Sequence, residues 1–131
     1  MSGRGMACVL IVEDETQVLM LAESVLQQAG HDTLSAATVA EAQAIINSDE
    51  KFDLVFTDVQ LANHADGGLT IGTLTGKTRP GTPVLYTSAR PATDGMQSLF
   101  VEPSTFLPKP YTAEQLNEAI GNLLGSRKYV G

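Results

Sequence analysis

The chain of 131 residues has one domain's length, enough to bury roughly two-thirds of its unfolded surface around a core without disulfide staples. With 43% hydrophobic and 18% charged residues it is globular in composition, and its net charge of -7 excludes the clustered basic surface that nucleic acid or an anionic membrane requires. A single cysteine, Cys8, excludes an internal disulfide and any multi-cysteine metal site and fits a reducing, cytoplasmic compartment, while no apolar run approaches the about 18 residues of a membrane span.

Residues 1–6 lack the apolar core of a signal peptide and read as a flexible tail or an expression remnant, with the folded domain expected over 7–125 and a C-terminal tail over 126–131. Residues 7–12 (ACVLIV) form a continuous apolar run rich in branched side chains, as expected of a strand buried on both faces. A helix follows over 15–29, with Val18, Ala22, Val25, Leu26 and Ala29 on one face and Gly30 as its stop. A weaker strand is expected over 33–36. The next helix opens at Thr38, with Glu41 three residues on as a capping box, and buries Ala42, Ile45 and Ile46.

A third strand is expected over 53–57 (DLVFT) and a fourth over 83–87 (PVLYT), with a weaker fifth over 104–107. The helices between them are poorly written. Residues 68–77 carry Gly72 and Gly76, each costing about 1 kcal/mol relative to Ala, and residues 92–101 carry Gly95, so both are expected to be short, frayed or displaced. The last helix opens at Thr112, with Gln115 in the capping-box place, carries Leu116, Ala119, Ile120, Leu123 and Leu124 as its stripe, and is expected to end at Gly125. Strand and helix thus alternate five times, implying an α/β domain with a parallel sheet between two helical layers.

The residues that close each strand are informative. The first is followed by Glu13 and Asp14, the third by Asp58, the fourth by Thr87 and Ser88, the fifth by Lys109 and Pro110. In an open parallel sheet of order 2-1-3-4-5, ligands bind beyond the carboxyl ends of the strands at the switch between the first and third. Glu13, Asp14 and Asp58 would meet there, with Thr87 and Lys109 on the other side. Three ionised carboxylates repel unless one takes a proton or a cation sits among them, and Mg²⁺ is the favoured occupant. With a lysine and a hydroxyl alongside, Asp58 becomes a candidate phosphoryl acceptor. Each residue alone has a structural reading: Asp14 and Glu15 as helix caps, Asp58 as a turn opener, Thr87 as a strand residue, Lys109 as a solvated loop lysine. Their joint placement at the ends of four strands favours a site.

At these residues the chain resembles the receiver domain of bacterial two-component response regulators. The stretches VLIVEDE (9–15), DLVFTDVQL (53–61), PVLYTSA (83–89) and FLPKPY (106–111) carry the resemblance, which spans 8–124. It implies a flavodoxin-like (βα)5 fold and Asp58 as the phosphorylated residue. It implies Mg²⁺ bound by Glu13, Asp14, Asp58 and the backbone carbonyl of Gln60. It implies Thr87 and Phe106 as switch residues, and Lys109 as the site ammonium before a cis Lys109-Pro110 bond. The phosphoryl group would come from a histidine kinase or a histidine phosphotransfer protein, in a reaction the receiver itself catalyses and slowly reverses by hydrolysis. Phosphorylation would add about two negative charges and shift the surface near the fourth helix, fifth strand and last helix. Gln60 and Ala89 would flank the phosphoryl group and tune its lifetime.

Two departures stand out. The proline such domains carry four residues past the acceptor is Ala62 here, and the following Asp-Gly comes one residue late, as Asp66-Gly67, so the 62–68 loop and third helix are expected to be mobile or rerouted. His64 in this loop is expected to be solvated. Three functions are in play. A phosphoacceptor switch would act through an unknown downstream protein, whether the domain stands alone or is excised from a larger regulator. A receiver-like interaction module would not be phosphorylated in the cell. An aspartate-nucleophile, metal-dependent phosphohydrolase would want an acid at position 60, where Gln60 stands. A flavodoxin-type phosphate site is disfavoured by the glycine-free, acidic turn 13–16.

Overall fold

The computed structural model describes residues 7–62 and 64–128; the expected tail over 1–6 lies outside them, as do the last three residues of the tail expected over 126–131, whereas 126–128 belong to the last helix instead. Five strands, β1 (Cys8–Val12), β2 (Asp32–Ala36), β3 (Leu54–Asp58), β4 (Val84–Ser88) and β5 (Ser104–Pro108), alternate with five helices, α1 (Thr16–Gln28), α2 (Val39–Ile46), α3 (Gly67–Thr78), α4 (Asp94–Gln97) and α5 (Ala113–Lys128). The sheet is parallel with order β2-β1-β3-β4-β5, the expected doubly wound arrangement.

Alternation along the strands builds two cores. Val9, Ile11, Leu54, Phe56 and Leu85 face Ala22 and Leu26 of α1 and Leu116, Ile120 and Leu123 of α5. Leu10, Val12, Val55, Val84 and Tyr86 face Val39, Ala42 and Ile46 of α2 and Leu69 and Ile71 of α3. The three inner strands are therefore apolar on both faces, and the outer strands β2 and β5, paired on one side only, are the weakly written ones.

The capping box at the last helix forms in full, the Gln115 amide donating to Thr112 Oγ1 at 3.0 Å and the Thr112 amide to Gln115 Oε1 at 2.9 Å. At α2 the Glu41 amide donates to Thr38 Oγ1 at 3.1 Å, but Glu41 Oε1 accepts from the Ala37 amide, one residue before the cap, at 2.7 Å. Gly30 closes α1 at φ 97°. Gly125 does not close α5, which runs on to Lys128.

The third helix differs most from expectation. It is a full helix of 12 residues, neither short nor frayed. Its glycines serve close approach to the sheet: a Cβ at Gly68 would collide with the carbonyl of Asp58, and one at Gly72 with the Tyr86 hydroxyl. At the start of the 62–68 loop Leu61 and His64 pair through their backbones. There the Leu61 amide donates to the His64 carbonyl at 3.0 Å and the His64 amide to the Leu61 carbonyl at 2.8 Å. At the far end Arg79 donates to the carbonyls of Ile46 (3.1 Å) and Ser48 (2.9 Å) and lies 4.1 Å from the Phe52 ring centre, tying α3 to the end of α2. The fourth helix is a single turn, as its sequence suggests. The segment after it stacks Phe100 on Tyr86, ring centres 4.0 Å apart, with Phe106 6.1 Å beyond.

Candidate functional site

The site lies at the carboxyl edge of the sheet because β1, β3 and β4 are in register there, with Val12 beside Thr57 and Asp58 beside Thr87. The chain leaves β1 through Glu13 and Asp14, while Asp58 closes β3. One carboxylate oxygen from each of Glu13, Asp14 and Asp58 lies within 4.8 Å of the others. Lys109, just past β5, reaches back across the sheet. Its Nζ is 2.7 Å from Asp58 Oδ2 and 2.9 Å from Glu13 Oε1. The bond between Lys109 and Pro110 is cis, as is that between Glu102 and Pro103.

Three further carboxylate oxygens each accept one backbone amide. Asp58 Oδ1 accepts from the Gln60 amide at 3.1 Å, Asp14 Oδ2 from the Ala62 amide at 3.0 Å, and Glu13 Oε2 from the Glu15 amide at 3.1 Å. Asp14 thus spans from the first strand's loop to the third's rather than capping α1, and Glu15, at the cap position, makes no side-chain cap bond.

Burial sets the electrostatics. Glu13, 4% exposed, has its pKa raised by desolvation, and the neighbouring Asp58 charge adds to this against the opposing Lys109 and Glu15 hydrogen bonds. Burial alone would lower the Lys109 pKa, but its hydrogen bonds and charge interactions with Asp58 and Glu13 outweigh that and raise it, so the ammonium stays charged. One ammonium faces three carboxylates. A compact set of hard oxygen donors with surplus negative charge fits a hard divalent cation such as Mg²⁺.

The Thr87 hydroxyl, 2% exposed, donates to the Leu107 carbonyl at 2.6 Å, so it faces β5 rather than the Asp58 carboxylate. Phe106 is half-buried in the ring column with Phe100. Ala89 is exposed beside the site and His64 is exposed on its loop. The structure adds one contact at the site without a sequence signature: Ser88 Oγ donates to Gln60 Oε1 at 2.9 Å. Nothing in one sequence pairs residues 28 apart; only the shared carboxyl edge of β3 and β4 does.

A family model described as the response regulator receiver domain matches residues 9–121. Response regulator protein PilR of Pseudomonas aeruginosa is 34% identical over 119 residues, covering 90% of this chain but 26% of PilR, so the chain spans about a quarter of that relative. A receiver protein from Sinorhizobium medicae superposes with TM-score 0.85 at 29% identity, covering 94% of this chain and 98% of its own. NtrX from Brucella abortus superposes at 0.82 with 28% identity, covering 94% of this chain and 28% of NtrX. A CheY-like receiver domain from Methanospirillum hungatei, at 24% identity, shares the fold with TM-score 0.85, covering 97% of this chain and 100% of its own.

Proposed function

The chain belongs to the response regulator receiver domains, and from that premise we propose that it is a signalling switch whose phosphoryl group is carried by Asp58. The observation that carries this reading is the Lys109 ammonium bridging Asp58 and Glu13 at the carboxyl edge of the sheet.

In the proposed reaction a carboxylate oxygen of Asp58 attacks the phosphorus of a phosphohistidine. The phosphorus–nitrogen bond breaks and its electron pair returns to the imidazole, which takes a proton from solvent. The donor is a histidine kinase or a histidine phosphotransfer protein. Lys109 holds the nucleophile in place and offsets charge on the transferring oxygens, while the Gln60 amide fixes the other carboxylate oxygen. Glu13, Asp14, Asp58 and the Gln60 backbone carbonyl would hold Mg²⁺, which supplies further positive charge to the phosphoryl oxygens. Thr87 exchanges its bond to Leu107 for one to the phosphoryl group, and Phe106 follows, altering the surface read by a downstream protein.

The chain catalyses only its own phosphorylation and slow dephosphorylation; it does not turn over a substrate. The unit is residues 7–125, with α5 continuing past its end, and it acts in the cytoplasm. Among the described residues no helix is long and apolar enough to cross a membrane. The test is incubation with Mg²⁺ and a small phosphodonor, read by intact mass. Wild type gains one phosphoryl group and Asp58→Asn gains none. Unlabelled wild type under saturating donor overturns the reading in favour of an unphosphorylated interaction module.

A further inference from the structure

Gln60 is held at both ends. Its backbone amide donates to Asp58 Oδ1 at 3.1 Å, and its side-chain oxygen accepts from Ser88 Oγ at 2.9 Å. Ser88 is the last residue of β4, is 1% exposed, and accepts from the Arg90 amide at 3.0 Å. With that acceptor role filled by a backbone N–H, the hydroxyl proton is directed to Gln60. The end of the carboxamide that faces a donated proton is its oxygen.

We propose that Ser88 is a positioning residue that sets the lifetime of the phosphorylated state by occupying the carbonyl oxygen of the Gln60 side chain. The inference rests on Asp58 being the phosphoryl acceptor. Hydrolysis of the acyl phosphate forms a bond from water oxygen to phosphorus as the bond from phosphorus to the Asp58 oxygen breaks. The electron pair returns to the carboxylate, and both water protons leave on inorganic phosphate. An amide oxygen beside the phosphorus can accept from that water and aim it, as a glutamine does in nucleotide hydrolysis. Ser88 engages one lone pair of that oxygen and ties it to the end of β4, which makes it a weaker and less freely aimed acceptor for the attacking water. Because Ser88 acts through Gln60, its effect vanishes when the carboxamide is gone.

The test is the decay of phosphorylated protein, loaded with phosphoramidate and Mg²⁺, freed of donor, and followed by intact mass. Ser88→Ala is expected to decay about 3- to 10-fold faster than wild type, the scale of one released hydrogen bond. Ser88→Cys, which keeps the volume and weakens the donor, is expected to decay faster too, and serves if Ser88→Ala folds poorly. In a Gln60→Ala background, adding Ser88→Ala is expected to change nothing further. Unchanged decay in Ser88→Ala, or acceleration that persists without the Gln60 side chain, overturns the inference while leaving Asp58 as acceptor. Wild type that takes up no phosphoryl group overturns the acceptor reading and this inference together.

Discussion

Lys109 and Asp58 are 51 positions apart in sequence, yet Nζ stands 2.7 Å from Oδ2, the shorter of the two ion pairs at the carboxyl edge of the sheet. Breaking this pair while keeping the carboxylate isolates the contribution of the ammonium. Lys109→Ala is expected to slow phosphorylation from a small donor by about 100- to 1000-fold, the scale of one lost charge-stabilising group. Rates taken by mass spectrometry at fixed Mg²⁺ check this; a rate within a few-fold of wild type would show that the ammonium is dispensable.

Cation binding is expected to be visible without any phosphodonor. A ligand bound only by the folded state stabilises by about 2.7 kcal/mol at 100 times its dissociation constant. Mg²⁺ should therefore raise the thermal midpoint, a chelator should reverse the rise, and Asp14→Asn should shift the dose response to higher Mg²⁺. An equal rise in the double variant Asp14→Asn, Asp58→Asn would place the effect elsewhere.

The glycines of α3 and α5 are expected to respond in opposite ways. At Gly68 a Cβ meets the Asp58 carbonyl, and overpacking of about 1–3 kcal/mol should outweigh the gain of about 1 kcal/mol in helix propensity. A methyl group at Gly121 on α5 would meet nothing within 4 Å, so Gly121→Ala should stabilise by a few tenths to about 1 kcal/mol. Urea unfolding of the two single variants decides the sign of each.

Alkaline pH offers an independent check of packing beside the site. Tyr111 lies edge-on to Phe56, ring centres 5.8 Å apart, and burial pushes its pKa from 10.0 up to about 12, the nearby Glu13 and Asp58 charges adding to burial and Lys109 opposing it. A folded pKa above the unfolded one favours the neutral phenol. Its stabilisation is complete below pH 10 and is lost as pH rises through about 12. Tyrosinate absorbance should show a late step that Tyr111→Phe removes, and the variant should lose less stability across that window.

Much of this molecule is legible in its sequence because the signals are local. Apolar runs mark the strands, Thr38 with Glu41 and Thr112 with Gln115 mark two helix starts, and strand ends carrying Glu13, Asp14, Asp58 and Thr87 mark the acidic edge. The third helix departs from expectation because propensity counts a glycine's backbone freedom and not what packs against it. Gly68 and Gly72 are placed by Asp58 and Tyr86, residues of other elements. Gly125 fails as a stop for α5, which continues to Lys128. The Ser88 bond to Gln60 and the Arg79 tie onto α2 are illegible because their partners lie 28 and 33 positions away.

The Thr87 bond to the Leu107 carbonyl, 2.6 Å long and sealed from solvent, also works as a latch. Releasing it without a new partner would strand a buried hydroxyl and carbonyl, at a cost of about 1–3 kcal/mol. Unassisted excursions of the threonine are thereby held to a minority population, and a group offering the hydroxyl a stronger acceptor would tip the balance towards release.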